Sequence, residues 1–424
     1  MGGFRRALIV SLGGSIAPVV EMINDFVDDE TFVVFLASDT GNRETSTKYW
    51  VEGKIPEKHR KIFDGENLIE ICGGRLKEGN YQIIGIDPDK LEQAYESLER
   101  VYLALKRDGV KEILANFSGG TKIMSSSIVL LSIIYPDVDL FFNASYRTNV
   151  EKETNTRVVR IETKGIMERL LRSNVNRLYQ NYQYDSAVIE IDNFMSRYRS
   201  NDRELFIARD VARAFALWDK FEFQKSYEIL SKVGDERWSE HIKVLESLKD
   251  RGPINYGYKF IELINNAKRR AHNQEYDNAV ARLYRSLEVL AQALLYKFYN
   301  LKTKEVSHNL DLLRNNGLNG EDVEYYAKKT RGIGLMESYE LLTKLKDTRD
   351  NVGTVYLKFK KELEGVIAHR NDSILAHGFR PIGKDNFSKF LSVVESFYEE
   401  VINMLPEKRK IQIRGVELPT TYFL

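Results

Sequence analysis

The sharpest chemical signal in the chain is the run His369-Arg370-Asn371-Asp372-Ser373-Ile374-Leu375-Ala376-His377-Gly378. Arg370 and His377 stand seven residues apart, almost two helical turns, so a helix through the run would project both from one face with Ser373 between them. Gly378 and Pro381 would end that helix just beyond His377. A fixed cation beside a titratable imidazole suits phosphodiester cleavage: the guanidinium holds the phosphate and its developing charge while the imidazole moves a proton. RNA carries its own nucleophile, the 2′-hydroxyl, so this chemistry asks for no metal. The alternative is a surface arginine and a helix-capping histidine. No other arginine precedes a histidine by four to six intervening residues. His59, His241, His272 and His308 read as surface or core residues, and His369, about 100° round an ideal helix from Arg370, as an accessory at most. Lys408-Arg409-Lys410 reads as a solvated helix end, with RNA-backbone contact as the alternative.

Two loops rich in small residues form a second candidate site. They are Ser11-Leu12-Gly13-Gly14-Ser15 and Asn116-Phe117-Ser118-Gly119-Gly120-Thr121-Lys122, each following an apolar, strand-like run. Glycines let a phosphate approach the backbone, free amides at a helix start donate hydrogen bonds, and Ser, Thr and Lys side chains add donors and charge. Taken singly, each loop is equally well a tight strand-to-helix turn; two on one sheet edge favour an anionic ligand. Asp39 stands where a dinucleotide fold places its ribose-binding acid, but Ile16, Ala17 and Pro18 break the GxGxxG spacing. Lys122 follows a threonine and the second loop is no Walker motif, so NAD and ATP enzymes of the usual kinds are disfavoured.

The elements that must position these groups divide the chain in two. Candidate strands are Ala7–Ser11, Phe32–Ala37, Tyr81–Ile86, Glu112–Asn116, Asp139–Asn143 and Val158–Ile161, most of them continuous apolar runs, as strands buried on both faces require. They alternate with helical stretches such as Leu91–Arg107, the pattern of a parallel sheet with crossover helices. After Lys164 the β-rich runs vanish, and Leu/Glu/Lys/Arg/Tyr-rich helical segments continue to near the C-terminus, placing a boundary near 165 to 175. There a short pattern recurs: Tyr182-Gln-Tyr184-Asp-Ser-Ala187, Phe221-Glu-Phe223-Gln-Lys-Ser226 and Gln274-Glu-Tyr276-Asp-Asn-Ala279. It suits helical hairpins packed through a small residue, in an irregular bundle because the spacings of 39 and 53 residues differ.

With 424 residues, 43% of them apolar and 29% charged, the chain has material for two or three cores. Net charge is +1: residues 1–165 carry 21 basic against 25 acidic groups and the remainder 42 against 37, a balance that permits transient RNA contact rather than electrostatic capture. Cys72 is the single cysteine, no His/Cys cluster offers a metal site, and no apolar run spans a bilayer, so a cytoplasmic protein without membrane contact is expected.

The Asn116–Met124 stretch together with Ser11–Ser15 resembles the CARF sensor domain of CRISPR-associated proteins, and Arg370-Asn371-Asp372-Ser373-Ile374-Leu375-Ala376-His377 resembles the Rx4-6H motif of HEPN ribonucleases. Tyr276 to Glu288 resembles the helix that opens the HEPN domain, with Ala279, Leu283, Leu287 and Leu290 as a core stripe. Arg282, Arg285 and Glu288 are then its polar side or a shell supporting Arg370. The resemblance implies an α/β plus all-α chain: a Rossmann-like CARF domain over 1–165 with a parallel-rich sheet and helices on both faces, a helical linker over 166–255, and a helical HEPN domain over 256–424. It further implies a homodimer, a cyclic oligoadenylate activator in place of any cofactor, and a single-stranded RNA substrate in antiviral defence. Catalysis would fall to Arg370, His377 and Asn371. The messenger would be bound by Gly13, Ser15, Ser118, Gly119, Gly120, Thr121 and Lys122, with Asn42 and Asn143 at neighbouring strand ends. Two alternatives stay open: a messenger sensor whose HEPN domain binds a partner without cutting, and a ring nuclease that degrades its own messenger.

Overall fold

A computed structural model describes residues 3–41, 46–53, 55, 66–148, 151–250, 252–411 and 413–423; Asn42 and His59 lie outside the described residues. The chain divides into two compact units, residues 1–171 with 194–200 and residues 172–193 with 201–424.

In the first unit the described residues form one sheet of β1 (Arg6–Ser11), β2 (Thr31–Ser38), β3 (Tyr81–Ile86), β4 (Glu112–Asn116), β5 (Val138–Thr148) and β6 (Glu151–Ile161), in the order β3-β2-β1-β4-β5-β6. Every neighbouring pair is parallel except β5 with β6. The first four strands lie within a residue of the expected bounds, whereas β5 and β6 run longer because they continue as an antiparallel pair out to Thr148 and Glu151. Side chains alternate across the sheet. Leu8 and Val10 pack with α1 (Ala17–Phe26), α2 (Tyr49–Glu52) and α3 (Leu68–Ile71) on one face, and Ala7 and Ile9 with α4 (Leu91–Arg107) and α5 (Lys122–Ile134) on the other. Every residue of β2 is buried, which is why its sequence TFVVFLAS shows no polar face.

The second unit is helical. The division between units falls within α6 (Lys164–Gln180) and α7 (Tyr184–Arg197); then come α8 (Arg203–Asp219), α9 (Phe223–Val233), α10 (Ser239–Leu248), α11 (Tyr256–His272) and α12 (Tyr276–Tyr299). They are followed by α13 (Leu310–Asn315), α14 (Gly320–Ala327), α15 (Leu335–Lys344), α16 (Thr354–Asn371) and α17 (Lys384–Met404). Helix α12 buries Ala279, Leu283, Leu287 and Leu290 and packs against α11, α15, α16 and α17, so the expected stripe is a core stripe. Among the described residues no helix is long and apolar enough to cross a membrane.

The recurring sequence pattern is one turn built three times. Tyr182, Phe221 and Gln274 adopt left-handed backbone, with φ of 54°, 64° and 62°. Each donates its N–H to the carbonyl three residues back (2.9, 2.8 and 2.9 Å), and the next N–H reaches five residues back (2.9 Å in all three). These paired bonds satisfy the last carbonyls of α6, α8 and α11. The small residues Ala187, Ser226 and Ala279, fully buried in the following helix, allow the helices to close on one another.

The segment after α17 returns across the front of the same unit. Pro419 accepts the Tyr184 hydroxyl at 2.8 Å, Phe423 accepts the Asn176 amide at 2.6 Å, and the Tyr422 ring stacks on Trp238. The Glu417 carbonyl lies 3.0 Å from His241 Nε2, so this nitrogen carries the proton. His241 Nδ1 is buried without a partner among rings of Phe215, Trp218 and Trp238. Protonation there would bury a charge with no acceptor, and burial accordingly holds the imidazole below its ordinary pKa of 6.5. The folded form thus binds this proton less readily than the unfolded chain, so the neutral ring's contribution to stability is complete above that value and declines as pH falls through it. Unfolding by urea between pH 7.5 and 5.5 should show a loss of stability in the wild type that His241→Gln lacks; equal losses in the two proteins would remove His241 as the cause.

Candidate active site and anion-binding loops

Arg370 is the penultimate residue of α16. The helix stops at Asn371, so Arg370 and His377 do not share a helical face as their spacing suggested. Asn371, Asp372 and Ser373 all carry side chains that favour turns over helix interior, and the backbone instead folds back on itself. Ala376 and Gly378 donate to the Ser373 carbonyl at 3.0 and 3.2 Å, Arg380 donates to the Asp372 carbonyl at 3.1 Å, and His377 N–H reaches the Asn371 carbonyl at 3.1 Å. Ser373 is buried under this turn rather than displayed between the two side chains. Gly378 acts at a close approach and not as a helix stop: a Cβ there would stand 2.1 Å from the Asp372 carbonyl oxygen.

Asn371 therefore touches both partners. Its carbonyl takes the His377 amide, and its side-chain Oδ1 accepts from Arg370 Nη1 at 3.2 Å. The guanidinium lies 4.3 Å above the Tyr284 ring of α12, a cation–π contact that holds it against the helix bundle. Arg370 Nε is buried with no acceptor, the state expected of a donor kept for an anion. His377 is exposed on the turn, beside exposed Ile374, Leu375 and Phe379 (63%, 47% and 91%). Tyr284 was missed by sequence reasoning, which offered Arg282, Arg285 and Glu288 as support. Arg285 is paired with Glu288 at 2.8 Å, and Arg282 bonds Asn266 and Asn278. An aromatic on the opening helix was visible; which face it would turn to Arg370 was not. In the C-terminal basic run, Arg409 donates to the Lys297 carbonyl at 2.7 Å and lies over Phe298.

In the first unit β1 and β4 are neighbours whose onward connections leave in opposite directions, and ligands of open α/β sheets bind beyond the carboxyl ends of such a pair. The two small-residue loops are those ends. Their backbones nearly touch: a Cβ on Gly119 would stand 2.3 Å from the Ser11 carbonyl oxygen, and one on Gly13 2.5 Å from the Gly120 nitrogen. The glycines thus answer first to packing between the loops. Ser11 Oγ donates to the Gly119 carbonyl at 2.6 Å, Trp50 Nε1 donates to the Gly13 carbonyl at 3.0 Å, and Thr121 caps α5 by accepting the Met124 amide. Ser118 Oγ accepts the Asn143 amide at 2.6 Å, while the Asn143 side chain bonds Asn116 at 2.7 Å and Glu21 at 2.7 Å. Ser118 and Asn143 accordingly shape the loops from within, and Gly14, Ser15, Gly120 and Lys122 are the exposed members. Asp39, the residue a dinucleotide site would have used, is ion-paired with Lys48, which holds its carboxyl below the usual range. Trp50 gave no sequence signal beyond being a tryptophan whose N–H needs a partner when buried. Among the described residues no three His, Cys, Asp or Glu side chains gather to hold a metal ion.

Residues 248–401 match the family model of the Csm6 HEPN domain, and the Arg370–His377 segment lies inside the match. No curated protein matches the chain in sequence. Among solved structures, Enterococcus italicus Csm6 bound to cyclic hexa-2′-fluoro-hexa-dAMP is similar in fold, with a TM-score of 0.61 at 12% identity over 95% of each chain. The parallel-rich sheet followed by helices is thus a Csm6-like fold.

The loop contacts set a paired test. Gly119→Ala should loosen the β1–β4 edge, at a cost of roughly 1–3 kcal/mol for an overpacked site, and speed amide hydrogen exchange in β1 and β4. Gly14→Ala, where a Cβ meets nothing within 4 Å, should leave exchange unchanged. Equal exchange in the two variants would dismiss the close approach.

Proposed function

We propose that this chain, with a Csm6 HEPN domain on a Csm6-like fold, is a cytoplasmic endoribonuclease of CRISPR antiviral defence that cyclic oligoadenylate switches on. In this reading residues 1–165 sense the messenger, 166–255 link, and 256–424 cut single-stranded RNA. The observation that carries it is the Asn371 pivot, which brings the His377 backbone to the residue beside Arg370 while Arg370 keeps a buried donor unspent.

One chain supplies one arginine and one histidine, half of what a phosphodiester clamp needs. The exposed Ile374, Leu375 and Phe379 around His377 support a homodimer in which two such turns meet, since clustered exposed apolar side chains mark contact surfaces. Arg370 would take the scissile phosphate through Nε and the guanidinium edge, with Asn371 and Tyr284 fixing its plane. His377 would move the 2′-hydroxyl proton or hold that hydroxyl as it attacks phosphorus, leaving a 2′,3′-cyclic phosphate and a free 5′-hydroxyl without a metal. At the other end, the exposed Ser15, Gly120 and Lys122 would meet an oligoadenylate at the carboxyl ends of β1 and β4, on loops held by Gly13, Ser118, Gly119, Thr121 and Asn143. Activation then requires that the messenger bind the active state more tightly than the inactive one.

A fluorogenic RNA assay in chelator, with cyclic tetra- and hexa-adenylate added separately, tests activity, trigger and metal together. Arg370→Ala and His377→Ala should each lower the rate about 100-fold or more with messenger affinity intact, and wild-type cleavage by either variant would refute the site. Lys122→Ala should raise the messenger concentration needed for half activation yet reach the same maximal rate; a lower maximum with unaltered messenger dependence would count against its place in the sensor.

A further inference from the structure

The three matching turns of the helical unit converge. Asn273 Nδ2 donates to the Asn181 carbonyl at 2.9 Å, the Tyr182 and His272 rings meet edge to face, and Lys220 pairs with Asp185 at 2.7 Å. Between the turns lies an open cavity of about 890 Å³, walled by Tyr182, Lys220, Phe221, Arg270, His272 and Arg282 among others. That volume lies within the range of small-molecule sites. The nuclease chemistry of Arg370 and His377 uses none of these residues.

Three basic side chains of the wall, Lys220, Arg270 and Arg282, stand against three acidic ones, Asp185, Asp219 and Glu275, and the pairing leaves Arg282 out. Behind the wall, Arg269 pairs with Asp219 and Glu262. Asp219 is spent on Arg269 and Arg270, and Glu275 lies 3.6 Å from Arg270. Arg282 makes no ion pair among the described residues: its acceptors are the Asn266 side chain and the Asn278 carbonyl at 2.9 Å, both neutral. Desolvation and then Arg270 oppose its charge, Glu275 favours it and Arg269 opposes it, and the net opposition is what an incoming anion would relieve. Arg270 Nε is buried and has no acceptor. Around these cations the half-buried Tyr182 and Phe221 offer ring surface at the rim.

We propose that this cavity binds a small phosphorylated ligand of nucleotide size, its phosphates against Arg282 and Arg270 and its organic part against Tyr182 and Phe221. The site is separate from the sensor loops and owes nothing to the nuclease reading.

Titration calorimetry of the full-length protein with ATP as probe, and adenosine as control, tests it. Ser186 is an exposed wall residue in the first turn of α7, where an acidic side chain suits the helix, so Ser186→Glu adds a negative charge to the cavity without cost to the fold. ATP should bind the wild type and Lys122→Gln alike, and at least tenfold more weakly to Ser186→Glu and Arg282→Gln, with adenosine much weaker than ATP throughout. Absence of ATP binding to the wild type overturns the proposal. So does undiminished binding to Ser186→Glu, whatever Arg282→Gln does. Loss of binding in Lys122→Gln, or adenosine binding as tightly as ATP, overturns it as well.

Discussion

The hydrogen bond from His377 N–H to the Asn371 carbonyl is the constraint on which the candidate nuclease site depends. It closes a tight loop, so that a spacing of seven residues ends beside its own starting point. Three conditions permit it: the helix must release the chain at Asn371, Ser373 must tuck inward to supply a carbonyl, and residue 378 must lack a Cβ. The same asparagine then fixes the arginine through its side chain. Position is set by the rest of the bundle, because α16 delivers Arg370 to Tyr284 only while α12 is held against α11, α15, α16 and α17.

Much of this was readable from residue order. The strands through Asn116 were legible because burial on both faces leaves nearly unbroken apolar runs, and the two loops because small residues cluster where backbones nearly touch. The helical turns were legible as a pattern, although its meaning, a left-handed residue closing two backbone bonds, appeared only in three dimensions. What misled was periodicity: a spacing of seven fits a helix so well that Asn371-Asp372-Ser373 was overruled, though these residue types compete for backbone hydrogen bonds. Partners distant in sequence, such as Trp50 with Gly13 or Tyr284 with Arg370, leave no local trace.

A buried charge network joins the middle helices to those that follow. Asp219, at the end of α8, accepts from the Asn266 amide at 2.8 Å and from Arg269 at 2.8 Å, and pairs with Arg270. Arg269 also reaches Glu262 at 2.5 Å. Taking ions out of water is expensive, and removing one partner strands the others, so this cluster tolerates truncation poorly. It ties α8 to α11 within one compact unit.

The returning segment of residues 417–423 has a consequence for how the protein is made on the ribosome. It completes an aromatic core begun by Tyr179, Tyr184 and Trp238, between 184 and 243 residues upstream. Contacts of such long sequence separation form last and slow folding. During translation those early helices wait with one side uncovered until residues 417–423 emerge, and aromatic surface left open in that interval favours association between nascent chains.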